Sequence, residues 1–490
     1  MKSIFKYFGI MLLAVLIVLC CGYLYLISQQ TKQGDITWQS CYRPSYLFSW
    51  FVLPPALRLQ CATVSVPVDY AKPDGKTFSI PLTRLPATGD DIIGDLLLLN
   101  GGPGGHSLDM SSLMLDNHYG NQVKERFHIL GYAPRGIAPS SPAIDCGGIE
   151  ETDETGKSNA KAYMQACIKH TGADILPFVS SKEVVKDLDS IRKALHNDTW
   201  SMVGYSYGTK LVAKYAEHYP SHLRAGVADG VVDTAEDLPT ILANQNKHAQ
   251  IAFERFMDWC QDCAFDRQKD PNAAFLAVLT AIDNQRLKDS DGETIDKQSL
   301  LSIFTDSLND ESAWQDLKQM FDELLAGKTD IYNEHRFIAK LNEKGFSNDG
   351  LAMINCADSA PKMSKNDYIK HAKSVDAQAR YDDIKERADD DYLDSCYYWG
   401  HQATDDLAEN LVNENTPNLL FVSYEFDLAT PYANAQTMAA KFDDPLIVLA
   451  GQQGHTVSLF GENACADEYV SRYLFEPKTD FGDKLLICGK

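Results

Sequence analysis

Two kinds of apolar pattern divide the chain. In "CATVSVPVDY" (61 to 70) and "KTFSIPLTRL" (76 to 85) apolar and polar residues alternate on either side of the turn-rich "AKPDG", which predicts an antiparallel hairpin of half-buried strands. Six other short runs do not alternate: "DLLLLN" (95 to 100), "FHILGY" (127 to 132), "WSMVGY" (200 to 205), "RAGVADGVV" (224 to 232), "NLLFVSY" (418 to 424) and "PLIVLAG" (445 to 451). Runs of this kind, apolar on both faces and separated by helical stretches, predict an α/β fold with a mostly parallel sheet covered on both sides. The clearest helix is 180 to 196, where Val184, Val185, Leu188, Ile191 and Leu195 share one side. A second follows over 209 to 219.

Between about Thr234 and Asn415 the period changes. "FERFMDWC", "AAFLAVLTAI", "AWQDLKQMFDELLAG" and "RFIAKLNEKG" repeat their apolar residues at helical spacing, and no strand pattern intervenes. This is a helical insertion between two strands of one sheet. Its acidic stretch 380 to 394 reads as solvated helix faces. The chain therefore divides into an N-terminal segment (1–30), a first core part (31–233), the helical insertion (234–415) and a C-terminal core part (416–490).

The N-terminal segment stands apart from the fold. Lys2 and Lys6 precede an apolar run from Phe8 to about Ile27, long enough to cross a hydrocarbon core of about 30 Å. That predicts membrane targeting with the remainder of the chain exported. Tyr23 to Leu26 extend the run beyond a typical cleaved signal, which favours an anchor; cleavage, or lipidation at Cys20 or Cys21, are the alternatives. Ten cysteines lie beyond the segment, an even number that fits disulfides in an oxidising compartment, and pairing sequence neighbours is the simplest scheme. Cys260 and Cys263 lack a second ligand pair at zinc spacing, so a structural disulfide is expected there and no metal site. The net charge of −23 argues against nucleic acid as a partner.

Chemistry gathers where strands end. "GYSYG" (204 to 208) has the form G-x-S-x-G between a buried strand and an amphipathic helix, the context a nucleophile elbow needs to expose the Ser206 hydroxyl. A serine requires a base, and the base an acid to hold its tautomer. Asp427 in "FDLATP" and His455 in "GQQGHTVS" each follow a predicted strand, in the chain order Ser, Asp, His, with Glu425 the reserve acid.

These motifs resemble the exported α/β-hydrolases of the prolyl iminopeptidase and tripeptidyl aminopeptidase-like serine peptidase family. The resemblance runs from about Gln60 to Lys490 and rests on "LNGGPGG", "DLDSIRKAL", "GYSYGT", "DGVVD", "FDLATP", the "GH" at 454 to 455, and Cys465 with Cys488. Ala133, Tyr424 and His106 depart from the family's usual residues and bear on loop geometry and substrate range. The resemblance implies an α/β-hydrolase fold whose helical insertion is a cap, short peptide substrates entering by their N-termini, a Ser206–His455–Asp427 triad, and no cofactor. It also places the glycine-rich loop beside the nucleophile, so that the N–H groups of Gly102 and Tyr207 form the oxyanion hole. Asp358 is the candidate partner of the substrate ammonium. An esterase sharing the same triad and a catalytically dead binding ectodomain are the competing readings.

Overall fold

The computed structural model describes residues 30–41, 58–113, 120–151, 158–266, 268–342, 345–359, 363–377, 388–400, 412 and 415–489. One sheet organises them. Its strands are β1 (Gln30–Gln33), β2 (Ile36–Ser40), β3 (Gln60–Pro67), β4 (Thr77–Leu85), β5 (Gly94–Leu99), β6 (Phe127–Tyr132), β7 (Trp200–Tyr205), β8 (Leu223–Asp229), β9 (Leu419–Phe426), β10 (Leu446–Gln453) and β11 (Leu485–Cys488). They lie in the order β1-β2-β3-β4-β6-β5-β7-β8-β9-β10-β11. Every pairing from β6 through β11 is parallel, and the β1 to β4 edge is antiparallel.

The run of four leucines has a simple explanation in this sheet. Leu97 and Leu99 point into the larger core on one face, together with Met202 and Leu211. Leu96 and Leu98 point into the core on the other face, together with Val203 and Ile447. A strand with two buried faces has no position at which a polar residue could be solvated, and alternation disappears.

Two elements at the sheet's edges, too short or too exposed to stand out in the apolar pattern, are found only in the structure. The hairpin β1–β2 begins with Gln30-Thr31-Lys32-Gln33, mostly exposed, and is held by Trp38, which is fully buried under the Arg84 guanidinium. At the opposite edge β11 is four residues long, with Ile487 exposed and Leu486 buried.

Between β8 and β9 the described residues are helices, turns and isolated bridges. Four of the helices start on aspartates that accept a backbone N–H three residues on: Asp237 from Thr240 (3.0 Å), Asp270 from Ala273 (3.0 Å), Asp296 from Ser299 (2.6 Å) and Asp394 from Tyr397 (3.0 Å). Part of the chain's negative charge is spent in this way, at the positive ends of helix dipoles. The insertion is packed in two parts. Residues from Ala249 to Tyr332, joined by Leu428 from beyond β9, build a separate core around Phe253, Phe256, Phe265, Phe304, Trp314 and Phe321. The helix Asn348–Ser359 instead sends Met353, Ile354 and Cys356 into the main core beneath the sheet.

Ten cysteines form five disulfides between sequence neighbours: 41–61, 146–167, 260–263, 356–396 and 465–488. Cys260 and Cys263 are buried within the aromatic core of the insertion, as a structural bridge would be. No helix among the described residues is long and apolar enough to cross a membrane. The proposed targeting run lies in residues 1–29, outside the described residues.

Candidate active site

Ser206 sits between β7 and the helix Tyr207–His218 with φ 55° and ψ −122°. A non-glycine residue held at positive φ is strained by about 1–3 kcal/mol, and persists only where its surroundings dictate it. The glycines on either side show what dictates it. A side-chain carbon on Gly204 would lie 2.3 Å from the Gly208 carbonyl oxygen, and one on Gly208 would lie 2.4 Å from that of Leu99. Strand and helix cross so closely that both positions must lack a side chain. The serine is left at the apex, its N–H donating to the Asp229 carbonyl oxygen (2.9 Å).

The glycine-rich loop runs alongside. A β-carbon on Gly101 would come within 2.8 Å of the Ser206 Cβ and 3.3 Å of its Oγ. Asn100 closes the loop on itself, accepting the Gly101 N–H (2.8 Å) and donating to the His106 carbonyl oxygen (2.9 Å). The insertion covers the outer side of this loop. Gly105 and Phe346 form an antiparallel bridge, Ser347 N–H donates to the Gly104 oxygen (3.0 Å), and the Phe346 ring lies against Gly102. His106, at one of the departures from the family's pattern, packs beside Gly345, where burial holds its imidazole below the usual range against the opposing pull of Asp109.

Asp427 and His455 meet. The Asp427 carboxylate is buried; Oδ1 accepts the N–H groups of Ala429 (2.9 Å) and Thr430 (2.8 Å), and Oδ2 accepts from the Thr430 hydroxyl (2.9 Å) and pairs with His455 Nδ1 (2.8 Å). Burial alone would depress the imidazole pKa. The charge and hydrogen bond of Asp427, assisted by the charge of Asp229, outweigh burial and hold His455 above its usual value. The ring lies on Gly230, where a β-carbon would be 2.9 Å from Cε1. The Ser206 backbone and the His455 imidazole thus rest on consecutive residues, Asp229 and Gly230. Glu425 does not join them, because its carboxylate is exposed and accepts the Gly451 N–H (2.6 Å) instead. Tyr424, another departure, packs its ring on Gly454, immediately before His455.

Asp358 requires a correction. Its carboxylate is already occupied: Oδ1 accepts the Ser181 N–H (2.7 Å), and Oδ2 takes the Ser181 hydroxyl (2.5 Å) and Lys210 Nζ (2.8 Å). A substrate ammonium would have to displace a lysine to reach it. The part-buried pair instead fastens the insertion to the helix that follows Ser206. Asp358→Asn is therefore expected to leave Lys210 without its counter-charge and to lower stability by about 3 kcal/mol in chemical denaturation. An unchanged midpoint would remove this anchoring role.

Two residues at the site were not singled out from the sequence. Thr430 reaches both Asp427 and His455 Nδ1 (3.3 Å), and its only local signal is a position three residues past the acid. Asp229 was visible only as part of "DGVVD"; a carboxylate ending an otherwise apolar strand beside the nucleophile strand was the available clue.

Comparison with known proteins adds the family. The alpha/beta hydrolase fold family matches residues 96–269, and the TAP-like protein family matches residues 382–485. YuaR of Escherichia coli, named as a hydrolase, is 34% identical over 90% of this chain and 91% of its own length. Serine protease Hip1 of Mycobacterium tuberculosis is 30% identical over 84% of each chain. The chain belongs to the tripeptidyl aminopeptidase-like α/β-hydrolases. The tripeptidyl aminopeptidase of Streptomyces lividans is 26% identical over 94% of this chain and 88% of its own. As a hydrolase of this family the chain has the expected sheet, with two additions at its edges, the hairpin β1–β2 and the parallel strand β11.

Proposed function

We propose that this hydrolase is an exported serine peptidase that releases N-terminal residues or short peptides, with Ser206 as nucleophile, His455 as general base and Asp427 as its orienting acid. One observation carries the reading: the paired His455 and Asp427 stand on Gly230, next to the carbonyl that holds the Ser206 backbone. His455 Nε2 removes the Ser206 proton as Oγ attacks the scissile carbonyl. The oxyanion is met by the N–H groups of Gly102 and Tyr207, since the Gly101 N–H already binds Asn100. Collapse of the tetrahedral intermediate transfers the imidazolium proton to the leaving amine and leaves an acyl-enzyme. Water, deprotonated by the same imidazole, releases the acid and restores the serine.

The names serine protease and tripeptidyl aminopeptidase among the relatives support peptides, the name carboxylesterase B of a Mycobacterium tuberculosis relative at 27% identity keeps esters as the second reading, and five disulfides suggest export. The helices between β8 and β9 act in this reading as a cap, excluding folded protein and admitting short chain ends. A free substrate amine would then be read by a carboxylate within the cleft. Peptides with a free N-terminus are expected to be cleaved with at least about tenfold higher kcat/KM than their N-acetylated forms, a difference of about 1.4 kcal/mol. Asp358→Asn, which removes no free carboxylate, should lower both rates together. Equal kcat/KM for free and acetylated peptides would reject the aminopeptidase reading. Faster turnover of short acyl esters than of any aminoacyl or tripeptidyl amide would make the chain an esterase on the same triad.

A further inference from the structure

We infer that Asp229 is a positioning residue that holds His455 in register with Ser206, an assignment that rests on the triad reading above. Asp229 ends β8, is fully buried, and is bonded through its main chain and its side chain to two different parts of the site. Its carbonyl oxygen accepts the Ser206 N–H (2.9 Å). Its carboxylate Oδ2 accepts the N–H groups of Val457 (2.7 Å) and Ser458 (2.6 Å), two and three residues beyond the imidazole. Gly230 follows as the floor under the His455 ring, and its N–H donates to the Val422 oxygen (3.0 Å) on β9, the strand that leads to Asp427. One strand end therefore touches the segments carrying all three proposed triad members.

The clamped loop would not hold this shape unaided. Thr456 has φ 61° and Leu459 φ 68°, one on each side of the clamped pair Val457–Ser458. Positive φ is rare for non-glycine residues and is a true outlier for a β-branched one such as threonine. Two charge-assisted hydrogen bonds at a buried site supply what such a backbone needs. The other groups facing Asp229 reinforce the clamp: Tyr205 donates its hydroxyl to the Ser458 carbonyl oxygen (3.0 Å), and Asp467 accepts the Leu459 (2.5 Å) and Gly461 (3.0 Å) N–H groups. Burial raises the Asp229 pKa, opposed by the Val457 and Ser458 N–H groups and the charge of His455.

Asp229→Ala and Asp229→Asn separate positioning from simple support of the fold. Each variant is compared with native enzyme by kcat per site, with active sites counted by stoichiometric fluorophosphonate labelling, so that even a small folded fraction can be measured. The alanine is expected to lower kcat per labelled site by about a hundredfold with KM within about threefold, because substrate still binds while the imidazole drifts. The asparagine, which keeps an acceptor oxygen for Val457 and Ser458, is expected to stay within about tenfold of native. Native kcat per labelled site in the alanine variant would overturn the assignment, as would an asparagine variant as impaired as the alanine. Failure of the triad reading would look different, since fluorophosphonate would then not label Ser206 in the native enzyme.

Discussion

Ser206→Ala is expected to remove fluorophosphonate labelling completely and to lower turnover of the best peptide substrate by at least about 10⁴-fold, while leaving the melting temperature within a degree or two of native. The hydroxyl makes no structural hydrogen bond among the described residues; what binds the segment to its neighbours is the Ser206 N–H on Asp229 and the close crossing of β7 with the helix behind it. Ser206→Gly should be equally inactive yet more stable than the alanine variant, because glycine adopts φ 55° without strain. A folded alanine variant that keeps more than a small percentage of native turnover would end the proposal that this serine is the nucleophile.

Much of that site was legible because its chemistry demands local sequence. An elbow needs glycines two residues before and after its serine, and "GYSYG" states that requirement in five letters. Strand ends that hold an acid and a base leave an apolar run followed by a polar loop, so Asp427 and His455 could be read in order. What could not be read depends on partners far along the chain. Asp358 looks like an unpaired acid in "NCADSA", and only the structure brings Lys210 and Ser181 to it. Asp229 and the N–H groups it clamps are more than two hundred residues apart, and no pattern of hydrophobicity marks a hydrogen bond across that interval. The β1–β2 hairpin fails for a different reason: its first strand is polar and mostly exposed, so burial leaves no trace in it.

Asp427→Asn is expected to lower plateau kcat/KM by about 10³- to 10⁴-fold and to move the acid limb of the pH profile. In the proposed mechanism only neutral His455 can accept the serine proton. Its pKa is raised in the native enzyme, so activity should rise with pH through an inflection above the usual histidine value of 6.5 and should be lost below it. The asparagine removes the negative charge and, with its amide nitrogen turned toward Nδ1, favours the wrong tautomer. Burial, which lowers the imidazole pKa, would then act with less opposition, and the residual activity should show its acid limb at lower pH than native. An acid limb left in place would mean that Asp427 does not set the charge state of the base. A plateau loss under tenfold would mean that it does not orient it.

The bridge between Gly105 and Phe346 joins the insertion to the glycine-rich loop that the proposed mechanism assigns to the oxyanion. Residues 345–347 and 104–106 share backbone hydrogen bonds, and Phe346 leans on Gly102, so the insertion cannot be lifted at this seam while the loop beneath stays where it is. Size selection would then be more than a matter of which molecules fit through an opening. A bulky chain that forced the seam apart would reach a serine that had lost its partner donor, and would meet an enzyme switched off by the act of entering. Under the proposed function small substrates would leave the seam closed and find the catalyst assembled, a form of proofreading in which the wrong guest would disable the machinery meant to cut it.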